Sequence, residues 1–183
     1  MWQREKEMEK NFRFIKPVIR ILILLFYLAA IFYLTLLNRE PEPERMAWTT
    51  LFGSYRRAWE ENHTFILWGL IDNVIMMIPF GFLLTWVNGK IRLVHTLFLA
   101  CVLTVFIEST QYLTKLGYFD VDDIWNNLWG TVIGYGLYCC LKEFAAARKE
   151  GRRVRCLLLV GGILPLIIFL LFFAFFLKMV LIY

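Results

Sequence analysis

Residues 157–177 contain no charged side chain, and residues 18–37 contain one, Arg20, a single turn from their start. A helix rising 1.5 Å per residue needs about 20 such residues to cross a hydrocarbon core of about 30 Å. Three further stretches, 64–86, 93–111 and 124–141, meet or approach that length. In hydrocarbon every backbone polar group must find its partner within the protein, which apolar segments of this kind achieve as helices. The expected fold is therefore all-α, a polytopic bundle of five transmembrane helices forming one membrane domain over residues 1–183. Composition excludes the alternatives. With 60% hydrophobic and only 19% charged residues, the chain has too little polar surface for a water-soluble globule and too much apolar content for disorder.

Basic residues ahead of the first stretch give it the look of a secretory signal. Yet it ends Leu34-Thr35-Leu36-Leu37-Asn38 with no small-x-small cleavage site, so it reads as a retained anchor helix. Of the 20 Lys and Arg residues, fourteen fall before or at the start of the first stretch, in 87–92 and in 142–155; six fall in the other three segments. The positive-inside rule then puts the N-terminus in the cytoplasm and the C-terminus outside. These flanks account for the net charge of +5, so nucleic acid is not an expected partner. Cys101, Cys139, Cys140 and Cys156 sit in or beside apolar runs and read as small packing residues. No His and Cys spacing fits a zinc site, and no metal or cofactor is expected.

The intramembrane polar residues gather at one depth. Asp72 lies about 12 Å into the second stretch at 1.5 Å per residue, while Glu108 and Gln111 occupy the last turns of the third. Asp120, Asp122 and Asp123 directly precede the fourth, whose first turn holds Asn126 and Asn127. In the expected orientation all of these belong to the outer half of the bilayer. A carboxylate facing lipid costs about 2.5–3.5 kcal/mol even on a lenient scale, so Asp72 and Glu108 should face the bundle interior or a wet cavity. Helical spacing supports a shared face: Thr104, Glu108 and Gln111 on one helix, Asp123, Asn127, Gly130 and Gly134 on another, Asn73, Met77, Phe80 and Gly81 on a third. The expected site is one outward-facing pocket with Asp72, Asn73, Glu108, Gln111, Asp120, Asp122, Asp123 and Asn127 as ligand-binding residues.

Structural roles stand beside these. Gly130 and Gly134 form a G-x-x-x-G element that lets helix backbones approach closely, and Gly81 is read as packing too. Pro79 frees a carbonyl that a neighbouring helix must satisfy. Asn73 and Asn127 can serve as interhelical hydrogen-bonding groups, and Asp122 or Asp123 as the N-cap of the fourth helix. The acidic run lacks the glycine and distal Glu of a calcium loop. Trp48, Phe52, Tyr55 and Trp59 are spaced as an amphipathic helix lying on the outer surface, either anchoring there or covering the pocket. Ser109 has no His close enough in topology for a triad.

Three segments carry a family resemblance. Asn73-Val74-Ile75-Met76-Met77-Ile78-Pro79-Phe80-Gly81-Phe82-Leu83-Leu84 resembles the N-x-x-x-F-x-P-x-G-F-L segment of the VanZ-like family. Ile107-Glu108-Ser109-Thr110-Gln111 resembles its S-x-x-I-E-x-x-Q segment, and Phe119-Asp120-Val121-Asp122-Asp123 with Asn127, Gly130, Gly134 and Tyr135 resembles F-D-x-D-D-x-x-x-N-x-x-G-x-x-x-G-Y. The resemblance covers about residues 18–138 and leaves the helix at 157–177 outside. The chain departs from the pattern where an Arg usually precedes the acidic run, having Leu116-Gly117-Tyr118 there with Lys115 the nearest cation, and where Met77 replaces an aromatic.

The resemblance implies a multi-pass protein of the bacterial cytoplasmic membrane connected with resistance to the glycopeptide teicoplanin. The reading that follows is a non-enzymatic envelope protein whose pocket binds a lipophilic glycopeptide or a lipid-linked envelope ligand, with membrane lipids around it. The alternative is a membrane-embedded enzyme acting on a lipid-linked substrate through Glu108 and Asp122 or Asp123 as acid and base. Short spans without an inverted repeat speak against a cation-coupled transporter.

Overall fold

The structure, a computed structural model, describes residues 2–61, 63–150, 167 and 170. The expected helix at 157–177 lies outside the described residues apart from Ile167 and Leu170. Helix α1 (Trp2–Phe32) runs into a π-helical turn (Tyr33–Leu37), followed by β1 (Ala47–Trp48) and the short α2 (Gly53–Glu60). Then come α3 (Thr64–Val87), α4 (Leu93–Thr114), β2 (Phe119–Asp120) and α5 (Val121–Glu150). Among the described residues three segments are long and apolar enough to cross a membrane, Ile15–Leu37, Thr64–Val87 and Leu93–Thr114; the expected span at 124–141, which falls within α5, is not among them. Their outer faces are studded with exposed apolar side chains, Phe26 at 78%, Phe98 at 66% and Val94 at 65% among them. Such a surface suits acyl chains and not water.

The chain is mostly helical, with one amendment to the all-α expectation. Strands β1 and β2 pair in parallel, Ala47 with Phe119 and Trp48 with Asp120. This short ladder fastens the segment after α1 onto the connection between α4 and α5. The Arg45 guanidinium donates to the Leu113 carbonyl at 3.0 Å, and the Glu42 amide to the Lys115 carbonyl at 2.6 Å, extending the same seam.

Two apolar clusters hold the bundle. Tyr55, Ala58, Leu67, Leu70, Val74 and Ile133 join α2, α3 and α5; Leu24, Ile31, Met77, Phe80, Ala100 and Ile107 join α1, α3 and α4. Burying Tyr55 and Ala58 draws α2 into the protein. The aromatic residues of this segment therefore do not form one stripe on an outer surface: Trp48 lies in β1, and Tyr55 is fully buried in the first cluster.

Glycines set the distance between α3 and α5. A methyl group placed on Gly130 would overlap the Val74 carbonyl, one on Gly134 the Ile78 carbonyl, and one on Gly81 the Thr131 carbonyl. Val74 and Ile78 are spaced four apart, as are Gly130 and Gly134, so the two helices run in the same direction with backbones touching. Helix α1 runs antiparallel to α3, as the contacts Arg20 to Trp86 and Tyr27 to Met76 require.

Pro79 strips the Ile75 carbonyl of its helical donor. The Tyr27 hydroxyl of α1 reaches the adjoining carbonyl, that of Met76, at 2.6 Å. This bond ties α1 to α3 one residue from the freed carbonyl; it does not itself replace the donor that Pro79 removes. Tyr27→Phe should lower stability by about 1 kcal/mol or less, the usual worth of such a bond between membrane helices. Thermal unfolding in detergent reads this as a small fall in midpoint, and an unchanged midpoint would remove the bond from the account.

Candidate functional site

At the end of the bundle where the β1–β2 ladder lies, a cavity of about 550 Å³ opens between α2, α3, the end of α4 and the start of α5. Its chemistry is mixed. Arg39, Arg57, Glu42, Asp72, Asp120 and Asp123 all line it. Asn73 and Gln111 add amides, and Trp48, Phe65, Ile66 and Leu70 supply apolar wall.

Of the residues singled out from sequence, Asp72, Asn73, Gln111, Asp120 and Asp123 line this cavity. Asp72 is exposed there, so its charge meets open space. Asp123 has the Asn73 side chain as a hydrogen-bond partner and Arg39 as an attracting charge. Gln111 is buried and donates its Nε2 to the Thr35 carbonyl at 2.9 Å, bracing α4 against the π-helical turn. Glu108, Asp122 and Asn127 are buried and not among the lining residues.

The acidic run divides its labour in a way that spacing did not give. Asp120 Oδ1 accepts the Asp122 amide at 2.8 Å, so Asp120 caps the start of α5. The expectation that Asp122 or Asp123 would do so is corrected. Asp122 turns instead to α2, accepting the Phe52 amide on Oδ1 at 2.5 Å and the Ser54 amide on Oδ2 at 2.8 Å. Helix α2 has no cap from its own Phe52, which sits in the left-handed region at φ 62°. A residue seventy positions away does this work because the fold returns the α5 start to the α2 start. Glu108 Oε2 in turn accepts the Asp120 amide at 3.0 Å, tying α4 to the turn before α5.

Asp120 carries further load. Its Oδ2 accepts the Ser54 hydroxyl in a short hydrogen bond and lies 3.6 Å from Arg57 Nη2. The Arg57 guanidinium lies over the Trp48 ring, 3.5 Å from its centroid, and donates to Ser54 Oγ at 2.7 Å. Its Nε is buried with no acceptor. Deeper in the bundle Asn127 Nδ2 donates to Thr104 Oγ1 at 2.6 Å, while Asn126 Oδ1 accepts the Tyr55 hydroxyl at 2.7 Å. Burial raises the Tyr55 phenol far above its usual range, more than its bond to Asn126 lowers it, so it stays protonated as that donor. The Tyr118 hydroxyl donates to Glu42 at 2.8 Å, a bond that raises its ionisation above the ordinary tyrosine value.

Sequence reasoning missed the cations. Arg39 and Arg57 counted only towards orientation, yet both line the cavity, and Arg39 lies against Gly117, where a side chain would crowd its Nη1 at 3.0 Å. The available signal was position: Arg39 follows the first apolar stretch directly, at the depth of the acidic run. Among the described residues no group of His, Cys, Asp and Glu is arranged to hold a metal ion.

Residues 24–142 match the VanZ/LLP1 family, starting and ending slightly later than the 18–138 read from motifs. The chain is 30% identical over 103 residues to Protein VanZ of Enterococcus faecium. That match covers 56% of this chain and 62% of the relative, so the chain spans less than two thirds of that protein's length. No solved structure matches it. The family segment takes in the whole of α3 and α4, the cavity and the glycine contacts of α5, and with its three apolar helices it is that of a membrane protein: the chain belongs to the VanZ/LLP1 family.

Proposed function

We propose that this chain is a five-span protein of the bacterial cytoplasmic membrane, N-terminus inside and C-terminus outside, that contributes to teicoplanin resistance by binding a lipophilic ligand in an outward-facing polar pocket. The observation that carries the reading is the 550 Å³ cavity, which draws charges of both signs to one end of an otherwise apolar bundle. Charged groups near hydrocarbon are costly, and a fold that needed them only for stability could replace them with apolar packing. Asp72, Asn73, Gln111, Asp120 and Asp123 would meet the ligand directly. Glu108, Asp122 and Asn127 would hold the elements that present them. The geometry does not favour the acid–base alternative, since Asp122 already accepts two amides and Glu108 one.

Expression of the chain in a teicoplanin-susceptible bacterium should raise the inhibitory concentration severalfold. Asp72→Asn and Asp123→Asn each keep the side chain's shape at a residue that lines the cavity, so both variants should reach the membrane in normal amounts while tolerance falls to that of the host. Retained tolerance in both would remove the pocket from the function.

A further inference from the structure

The charges lining the cavity differ in how fully they are used. Asp120 is taken up by a backbone amide, a serine hydroxyl and Arg57; Glu42 by Tyr118; Asp123 by Asn73. Two full charges make no hydrogen bond and no ion pair within 4 Å among the described residues: Asp72, and Arg39, which attracts the Asp123 carboxylate from further off; both are exposed and line the cavity. Arg39 comes two positions after Leu37, the last residue of a candidate span, and Asp72 lies on α3 beyond the exposed Phe65. A cation and an anion therefore stand at one opening, beside apolar wall from Phe65, Ile66 and Leu70.

Resting on the proposed binding role of this cavity, the geometry points to its ligand class: a zwitterionic amphiphile, whose anionic group is taken by the Arg39 guanidinium and whose ammonium is taken by the Asp72 carboxylate. A guanidinium presents a planar fork of donors suited to phosphate or carboxylate, whereas an ammonium needs only a carboxylate within reach. The apolar wall takes the acyl portion. Gly117 belongs to this arrangement, because the absence of a side chain there leaves room for the Arg39 Nη1. A purely anionic amphiphile would leave Asp72 facing it with like charge, and a purely cationic one would face Arg39 in the same way. The pair selects against both.

The purified full-length protein in a neutral detergent tests this with four probes: lysophosphatidylethanolamine, lysophosphatidylglycerol, Nα-lauroyl-lysine and dodecylamine. Wild type should hold one or both zwitterions at least tenfold more tightly than lysophosphatidylglycerol or dodecylamine, a ratio in keeping with one charge-assisted contact. Which zwitterion binds tells whether a phosphate or a carboxylate is the natural anion. Arg39→Gln should weaken zwitterion binding about tenfold or more. Asp72→Asn should abolish the preference over lysophosphatidylglycerol while leaving binding of that probe unchanged or stronger. Equal binding of all four probes by wild type, or zwitterion affinity untouched by both variants, overturns the assignment. The outcome separates from that of the parent reading: tolerance that depends on Asp72 and Asp123 without zwitterion preference would keep the pocket's role and discard this ligand class. Zwitterion binding without any change in tolerance would do the reverse.

Discussion

Gly134→Leu is expected to abolish accumulation of folded protein, and Gly130→Val to come close to doing so. At both positions the new side chain meets backbone, the Ile78 carbonyl and the Val74 carbonyl respectively. A flexible side chain could turn aside, but a helix backbone cannot move one carbonyl without moving its turn. The collision is relieved only by pushing α3 and α5 apart along their shared length. Overpacking ordinarily costs about 1–3 kcal/mol, and a backbone collision at the tightest interface should exceed that. In lipid this interface draws little on hydrophobic burial and depends on close van der Waals fit, so lost proximity is not recovered elsewhere. Gly69 supplies the contrast, since nothing lies within 4 Å of a methyl group added there. Gly69→Ala should leave the yield unchanged and raise stability by up to about 1 kcal/mol through helix propensity. Size-exclusion profiles of the detergent-solubilised variants, with thermal unfolding of those that remain monodisperse, measure both effects. A monodisperse Gly134→Leu protein with a wild-type midpoint would show that the helices are not held at this distance.

The glycine contacts were legible in the sequence, and so was the gathering of polar residues at one end. Both follow from costs that hydrocarbon imposes regardless of tertiary detail: backbones approach closely only at small residues, and a carboxylate cannot be left to face acyl chains. The bond from Tyr27 to the Met76 carbonyl was not legible, because which helix lies alongside α3 depends on the bundle. The division of labour among Asp120, Asp122 and Asp123 was beyond spacing arguments. Any of the three could cap α5 from its place in the chain, and the choice is made by α2, whose uncapped start arrives from residues 52–54. The segment 38–61 was the hardest to read. Its aromatic spacing suits a helix resting on a membrane as well as one buried against α3, and only the Tyr55 hydroxyl finding Asn126 distinguishes them. Arg39 and Arg57 went unrecognised because cations in the segments flanking apolar stretches are expected for orientation alone.

Asp122→Ala should detach the start of α2, lowering stability by roughly 2–5 kcal/mol. Two backbone amides, the buried one of Ser54 and the half-buried one of Phe52, lose their acceptor at once, and a buried unsatisfied amide costs about 1–3 kcal/mol, a part-exposed one less. The opening should begin at Phe52, a bulky residue held at φ 62°, a conformation that L-residues adopt at a cost of about 1–2 kcal/mol. Asp122 is what holds that amide in place; without it the residue is free to leave the left-handed region, and the first turn of α2 goes with it. Asp122→Asn keeps one carbonyl oxygen but sets an NH2 group against the second amide, so it should recover less than half of the loss. Asp123→Asn leaves both amides bonded and should stay near wild type in stability. Hydrogen exchange resolves the mechanism: in Asp122→Ala protection should fall first across residues 52–60 while α3 and α4 keep theirs. Undiminished protection of the Phe52 and Ser54 amides would show that something else caps α2. Because Ser54 and Arg57 line the cavity from this helix, the same variant should also lose ligand binding without any change to a residue that touches the ligand. Stability of the cap and shape of the site are thus set by one carboxylate.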